Sequence, residues 1–213
     1  MLKKIIYSIV IFLFTFQFSF AQNNTQAEQI LTNLLSLAKT NAIRTNFKLI
    51  LADKSNPQGQ ITNGVFTLKG TKFVLEMSEM KAWFDGKTQW AYTIQNNEVS
   101  ITEPSEKELS ETNPMAILSG FKSKCVIKFS TKIKSVQNHC IEMIPKTKSS
   151  EILKIEVQVN KINGSLFSIK LTNKNGSNSL LILSNFQKGV TVADNIFVFN
   201  QSKYKGIVVN DLR

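Results

Sequence analysis

The chain has one histidine, two cysteines and two arginines among 213 residues, and each shortage removes a class of chemistry. His139 is the lone imidazole, and on a strand its neighbour Cys140 faces the other way. A Cys–His nucleophilic pair would therefore need Cys125 from a different strand, so a plain strand histidine is the expectation. No group of His, Cys and acids has metal-ligand spacing, and no glycine-rich phosphate loop is present. Neither a metal nor a cofactor is expected. The acids Glu103, Glu106, Glu108 and Glu111 lie in one polar stretch and read as a solvated face, not paired catalytic carboxylates. A non-catalytic protein is the expectation. The formal charge of +11 is almost all lysine, since Arg44 and Arg213 are the only arginines. Nucleic-acid readers lean on the arginine fork, so nucleic acid is not an expected partner. Dispersed lysine fits a solvated surface that faces anionic lipid head groups.

Long apolar runs are also scarce. The one candidate is Ile5 to Phe20, which follows Lys3 and Lys4 and precedes Ser19-Phe20-Ala21, small residues at the −3 and −1 positions before Gln22. That layout predicts a cleaved export signal over residues 1–21, with a periplasmic mature chain. About 190 residues then remain, enough for one domain over 22–213. In an oxidising compartment Cys125 and Cys140, on successive predicted strands, form either a cross-strand disulfide or two buried thiols.

Thr25 to Glu28 has capping-box spacing, and Ala27, Ile30, Leu31, Leu34, Leu35 and Ala38 follow a helical period to about Lys39. The period then drops to two. Ile43, Thr45, Phe47, Leu49 and Leu51 alternate with Arg44, Asn46 and Lys48, as a half-buried strand does. Strand signals recur over 61–69, 72–77, 81–84, 88–94 and 98–102, with an Asp85-Gly86 turn between the third and fourth of these. Asn113-Pro114 opens a short helix carrying Met115, Ile117 and Leu118. Strands resume at 124–130 and 138–144; Leu153, Ile155, Val157 and Val159 alternate, as do Phe167, Ile169 and Leu171. Segments 180–186 and 195–200 close the series. The fold class expected is mainly β, an open antiparallel sheet of about ten or eleven strands with two helices. Two short helices cover such a sheet incompletely, which leaves room for an apolar cavity suited to acyl chains.

Four stretches resemble one family. Gly64 to Phe73, Asp85-Gly86-Lys87-Thr88-Gln89-Trp90-Ala91-Tyr92, Asn113 to Leu118, and Phe197-Val198-Phe199 through Lys205 to Val209 resemble, in order and spacing, the periplasmic lipoprotein carrier LolA. The resemblance implies an unclosed antiparallel β-barrel capped by a helical lid over a hydrophobic cavity. It implies triacylated lipoproteins as cargo, an inner-membrane ABC transporter of the LolCDE type as donor, and a LolB-like or other outer-membrane acceptor; a monomer is the default expectation for a carrier. Phe73 falls on the family's cavity-lining aromatic. Alternation adds Phe47, Phe66, Leu75, Met77 and Trp90 from the sheet, and Leu34, Leu35, Ile117 and Leu118 from the lid. The family's lid-bonding arginine is missing; its position falls at Lys69 or Gly70, so Lys69 and Arg44 are the latch candidates. A same-fold carrier or sensor of other envelope lipids or mislocalised lipoproteins, or a surface-binding β-domain, are the alternatives.

Overall fold

The computed structural model describes residues 18–105, 108–109 and 113–213, with side-chain surroundings from residue 24 onward. The apolar leader up to Gln17, and with it Glu106 and Glu111, lies outside the described residues. Helix α1 spans Phe18–Thr40. It runs through the expected cleavage point, so Thr25 sits inside the helix and not at its N-cap. The cause is local: with the leader attached, no glycine or proline stops the helix between Phe18 and Thr25. Its buried stripe is Ala27, Leu31, Leu34 and Ala38, spaced four, three and four residues apart. No described helix is long and apolar enough to cross a membrane.

Among the described residues twelve strands form one sheet. They are β1 (Ala42–Ala52), β2 (Gln60–Lys69), β3 (Lys72–Met77), β4 (Met80–Phe84), β5 (Gln89–Thr93) and β6 (Glu98–Thr102). After helix α2 (Pro114–Lys122) come β7 (Cys125–Phe129), β8 (Asn138–Pro145), β9 (Ile152–Asn160), β10 (Leu166–Asn173), β11 (Asn178–Lys188) and β12 (Val208–Asp211). The order across the sheet is β12-β6-β5-β4-β3-β2-β1-β11-β10-β9-β8-β7, so the two edges stay apart and the barrel is unclosed. Every described pair is antiparallel except β12 with β6.

That exception comes from the tail. β11 ends beside β1 in mid-sheet, and the chain then crosses to the far edge to join β6. The segment read as a strand over 195–200 is instead part of this crossing, with 3-10 turns at Asp194–Phe197 and Gln201–Lys203. Phe197, fully buried, anchors it to the sheet. A further departure lies in β10, where a bulge between Leu166 and Ser168 shifts the pairing with β9. Leu166 therefore fills the core, and Phe167, expected inside, is turned out to solvent.

Different parts of the chain cover the inner face and part of the outer face. The inner face carries the main core: α1, Leu118 of α2, and inward residues from β1 to β4 and β7 to β11. α1 lies against β7 and α2, and also touches β1 and β2. The outer face of β3 to β6 is covered by the tail, through Val74, Trp83, Tyr92, Val99 and Phe197. Gly64 has a packing reason. A side-chain carbon there would come 2.6 Å from the Phe47 ring and 2.3 Å from the Glu76 carbonyl oxygen. Phe47 of β1 is paired across from Gly64 and lies over the space it leaves.

Candidate acyl-chain site

The expected cavity residues converge, with one exception. Leu34, Phe47, Phe66, Phe73 and Leu118 are buried in a single cluster, and Leu35, Leu75, Met77 and Ile117 are partly buried against it. Register explains the sheet half. Phe66 pairs with Leu75, Leu68 with Phe73, and Phe73 with Phe84, so alternate residues of β2, β3 and β4 share the inner face. The rings form a row: Phe66 to Phe73 at 5.7 Å and Phe73 to Phe84 at 5.4 Å between centroids, both tilted. Phe73, fully buried, is its centre.

Trp90 is the exception. It pairs directly with Trp83, whose side chain faces outward, so Trp90 packs under the tail and not beneath the helices. Tail rings lie against the same face. Phe199 lies 5.3 Å from Trp83, and Tyr204 lies 4.6 Å from Tyr92. Burial, the largest influence, raises the Tyr204 phenol above its ordinary value.

Neither latch candidate reaches the lid. Arg44 alternates with the inward Ile43 and Thr45 and lines a cavity of about 480 Å³ on the outer face, with Thr67, Trp83 and Tyr204. Lys69 also points outward. Its Nζ lies 2.6 Å from Asp194 of the tail, and Lys72 reaches the same carboxylate at 3.0 Å. Hydrogen bonds from the two lysines, Lys69 first, pull the Asp194 carboxyl down to about 2. They latch the tail. A side-chain hydrogen bond joins the two helices: the Lys122 ammonium of α2 donates to Thr32 Oγ1 of α1 at 2.7 Å. Sequence reasoning missed it because Thr32 lies off the apolar stripe. A basic residue in the last turn of α2 was the available signal.

The start of α2 is as expected: the Asn113 side-chain oxygen accepts from the Met115 N–H at 2.9 Å, with Pro114 in the first turn. So is the β4–β5 turn, where the Asp85 carboxylate accepts from the N–H groups of Lys87 and Thr88.

The remaining candidates fall apart chemically. Cys125 pairs with Pro145 while Cys140 lies opposite Ser130, and the two thiols are free and buried. Five positions along a strand is roughly 16 Å, far beyond disulfide reach, and the two face opposite sides. Burial pushes both thiols up, the reverse of an activated nucleophile. The His139 ring lies tilted beside Phe129, 6.0 Å between centroids, and burial, then the Lys161 charge, lowers its basicity. Glu103 pairs with Lys87 at 3.2 Å, and the Glu108 carboxylate accepts from Ser105.

What the arrangement does is bury apolar surface between a sheet and two helices. The model of the family described as outer membrane lipoprotein carrier protein LolA matches residues 18–175, and the chain belongs to that family. No curated protein matches the sequence. Among solved structures, an uncharacterized conserved protein from Thermus thermophilus shares the fold at a TM-score of 0.57. The two are 8% identical, over 86% of this chain and 98% of the other. A LolA superfamily protein from Nitrosomonas europaea aligns at TM-score 0.42 and 12% identity, over 81% and 97% of the two chains. A domain described as a putative outer membrane lipoprotein-sorting protein, from Vibrio parahaemolyticus, aligns at 0.44 and 15% identity, over 86% and 100%.

Proposed function

We propose that residues 22–213, freed of the leader, act as one monomeric periplasmic domain that carries triacylated lipoproteins between membranes. The cargo would come from an inner-membrane ABC transporter of the LolCDE type and pass to an outer-membrane acceptor, LolB-like or otherwise. One observation supports this beyond family membership: a single apolar cluster runs from β4 to β7 on the helix-covered face. Among the described side chains, none with a buried polar atom lacks a hydrogen-bond partner. That face can accept hydrocarbon without stranding a polar group.

Loading exchanges one apolar cover for another. Lifting α1 and α2 exposes Leu31, Leu34 and Leu118, with Ala27, Ala38 and the inward sheet residues beneath them. An incoming acyl chain offsets that exposure by about 0.8 kcal/mol for each methylene it buries on the same surface. An acceptor that covers the chain better can then take the cargo.

The test is release of a labelled lipoprotein from inner-membrane vesicles containing the transporter and ATP. Addition of the leader-free protein should bring the lipoprotein into the soluble fraction as a one-to-one complex. The reading is overturned if the label stays in the membrane. Leu35→Asp and Ile117→Asp, at half-buried lid positions, should each suppress release while leaving the circular-dichroism spectrum unchanged.

A further inference from the structure

Val136 and Ile162 are 93% and 94% exposed, while the next most exposed large aliphatic among the described residues, Leu212, is at 69%. Single exposed aliphatics are ordinary; two nearly bare ones side by side are not. They sit at the tips of the β7–β8 and β9–β10 connections, which are neighbours at one end of the sheet. The tips are joined. The Lys161 N–H donates to the Gln137 carbonyl, and its Nζ donates to the Ser135 and Val136 carbonyls, each at 3.0 Å.

Each tip is also held by its own side chains. Ser135 Oγ accepts from the Gln137 and Asn138 N–H groups. Asn160 Oδ1 accepts from Ile162 and Asn163. The exposure of the two aliphatics is therefore set by ordered turns and not by fraying. Around them the charge has one sign. Segments 131–137 and 161–165 hold Lys132, Lys134 and Lys161 and contain no acid. Lys132 and Lys161 are exposed.

We propose that these paired tips are a contact surface for a membrane bearing anionic lipid head groups. Val136 and Ile162 enter the boundary between head groups and acyl chains, and the lysines meet the head groups. Two projecting aliphatics ringed by cations match a lipid interface better than a protein groove, which would need a concave or continuous apolar patch. The surface stands independently of the carrier reading, because it requires no lipoprotein.

Flotation of the leader-free chain with vesicles tests it, comparing pure phosphatidylcholine with a mixture containing about a third phosphatidylglycerol. Binding to the anionic vesicles that weakens with salt is expected. Val136→Asp with Ile162→Asp should lower the partition coefficient at least about tenfold. Lys132→Gln with Lys134→Gln should lower it roughly thirtyfold and flatten the salt dependence. Leu153→Asp, an exposed aliphatic at the opposite end of the sheet, should change nothing. Unchanged thermal midpoints in all three variants separate lost contact from lost fold. No binding by the parent chain, equal binding by the tip variants, or an equal loss from Leu153→Asp would each overturn the proposal.

Discussion

Phe73→Ala tests the packed row at its centre. Phe73 is fully buried, with Phe66 and Phe84 rings 5.7 and 5.4 Å away. Removing a ring so enclosed costs about 3–5 kcal/mol, part of it transfer free energy and part the void left behind. Its two aromatic neighbours favour the upper half of that range, since each tilted pair is worth about 0.5–1.5 kcal/mol beyond area. For a domain of this size a urea slope of about 2–3 kcal/mol per molar is expected, so the midpoint should fall by roughly 1.5 M. The second readout has the opposite sign. The void lies where an acyl chain is proposed to sit, so a fluorescent fatty acid should bind the variant more tightly. An unchanged midpoint would refute the packing. A lowered midpoint with weaker fatty-acid binding would refute the placement of the chain beside Phe73.

The other expectations concern the latches and the thiols. Lys122→Met removes the side-chain hydrogen bond between the two lid helices; a partly exposed charged bond is worth about 1 kcal/mol, so fatty-acid affinity should rise up to about fivefold as the open population grows. Hydrogen exchange over 114–122 should quicken in that variant, and unchanged exchange would remove Lys122 as a latch. The Asp194 carboxyl titrates lower in the folded chain, at about 2, than in the unfolded one, so its hold on the tail is complete above about pH 4. It is lost as pH falls from there through about 2. Fluorescence of Trp83 and Trp90, both packed under the tail, should report this loss, and Asp194→Asn should abolish the pH dependence. Alkylation should modify both Cys125 and Cys140 only after denaturation and without a reductant; a mass two hydrogens short and no alkylation would contradict the register.

Elements with their own punctuation were legible in the sequence. Asp85-Gly86 and Asn113-Pro114 carry their capping groups within a few residues, and the structure uses those groups. Long alternations such as Ile43 to Leu49 also showed their inward face. The same alternation already placed Arg44 on the outward side, so its assignment as a lid latch was avoidable. Trp90 was not so readable. On β4, Trp83 and Phe84 are adjacent and both buried, because the tail covers one face and the helices the other. Where both faces are apolar, alternation carries no sign, and only the pairing Trp90–Trp83 decides. The tail misled for a related reason. Ile196 to Phe199 has strand-like residues, but its partner is a side-chain surface and not a strand edge. The parallel β12–β6 pair, Val208 beside Glu98, depends on that crossing and joins segments far apart in the chain.

The most direct test of the carrier reading is native mass spectrometry of the leader-free protein recovered from the periplasm. A mass raised by one acylated lipoprotein, and lost in the Leu35→Asp or Ile117→Asp variant, is the expected result. Protein recovered empty that also refuses purified triacylated lipoprotein would contradict it.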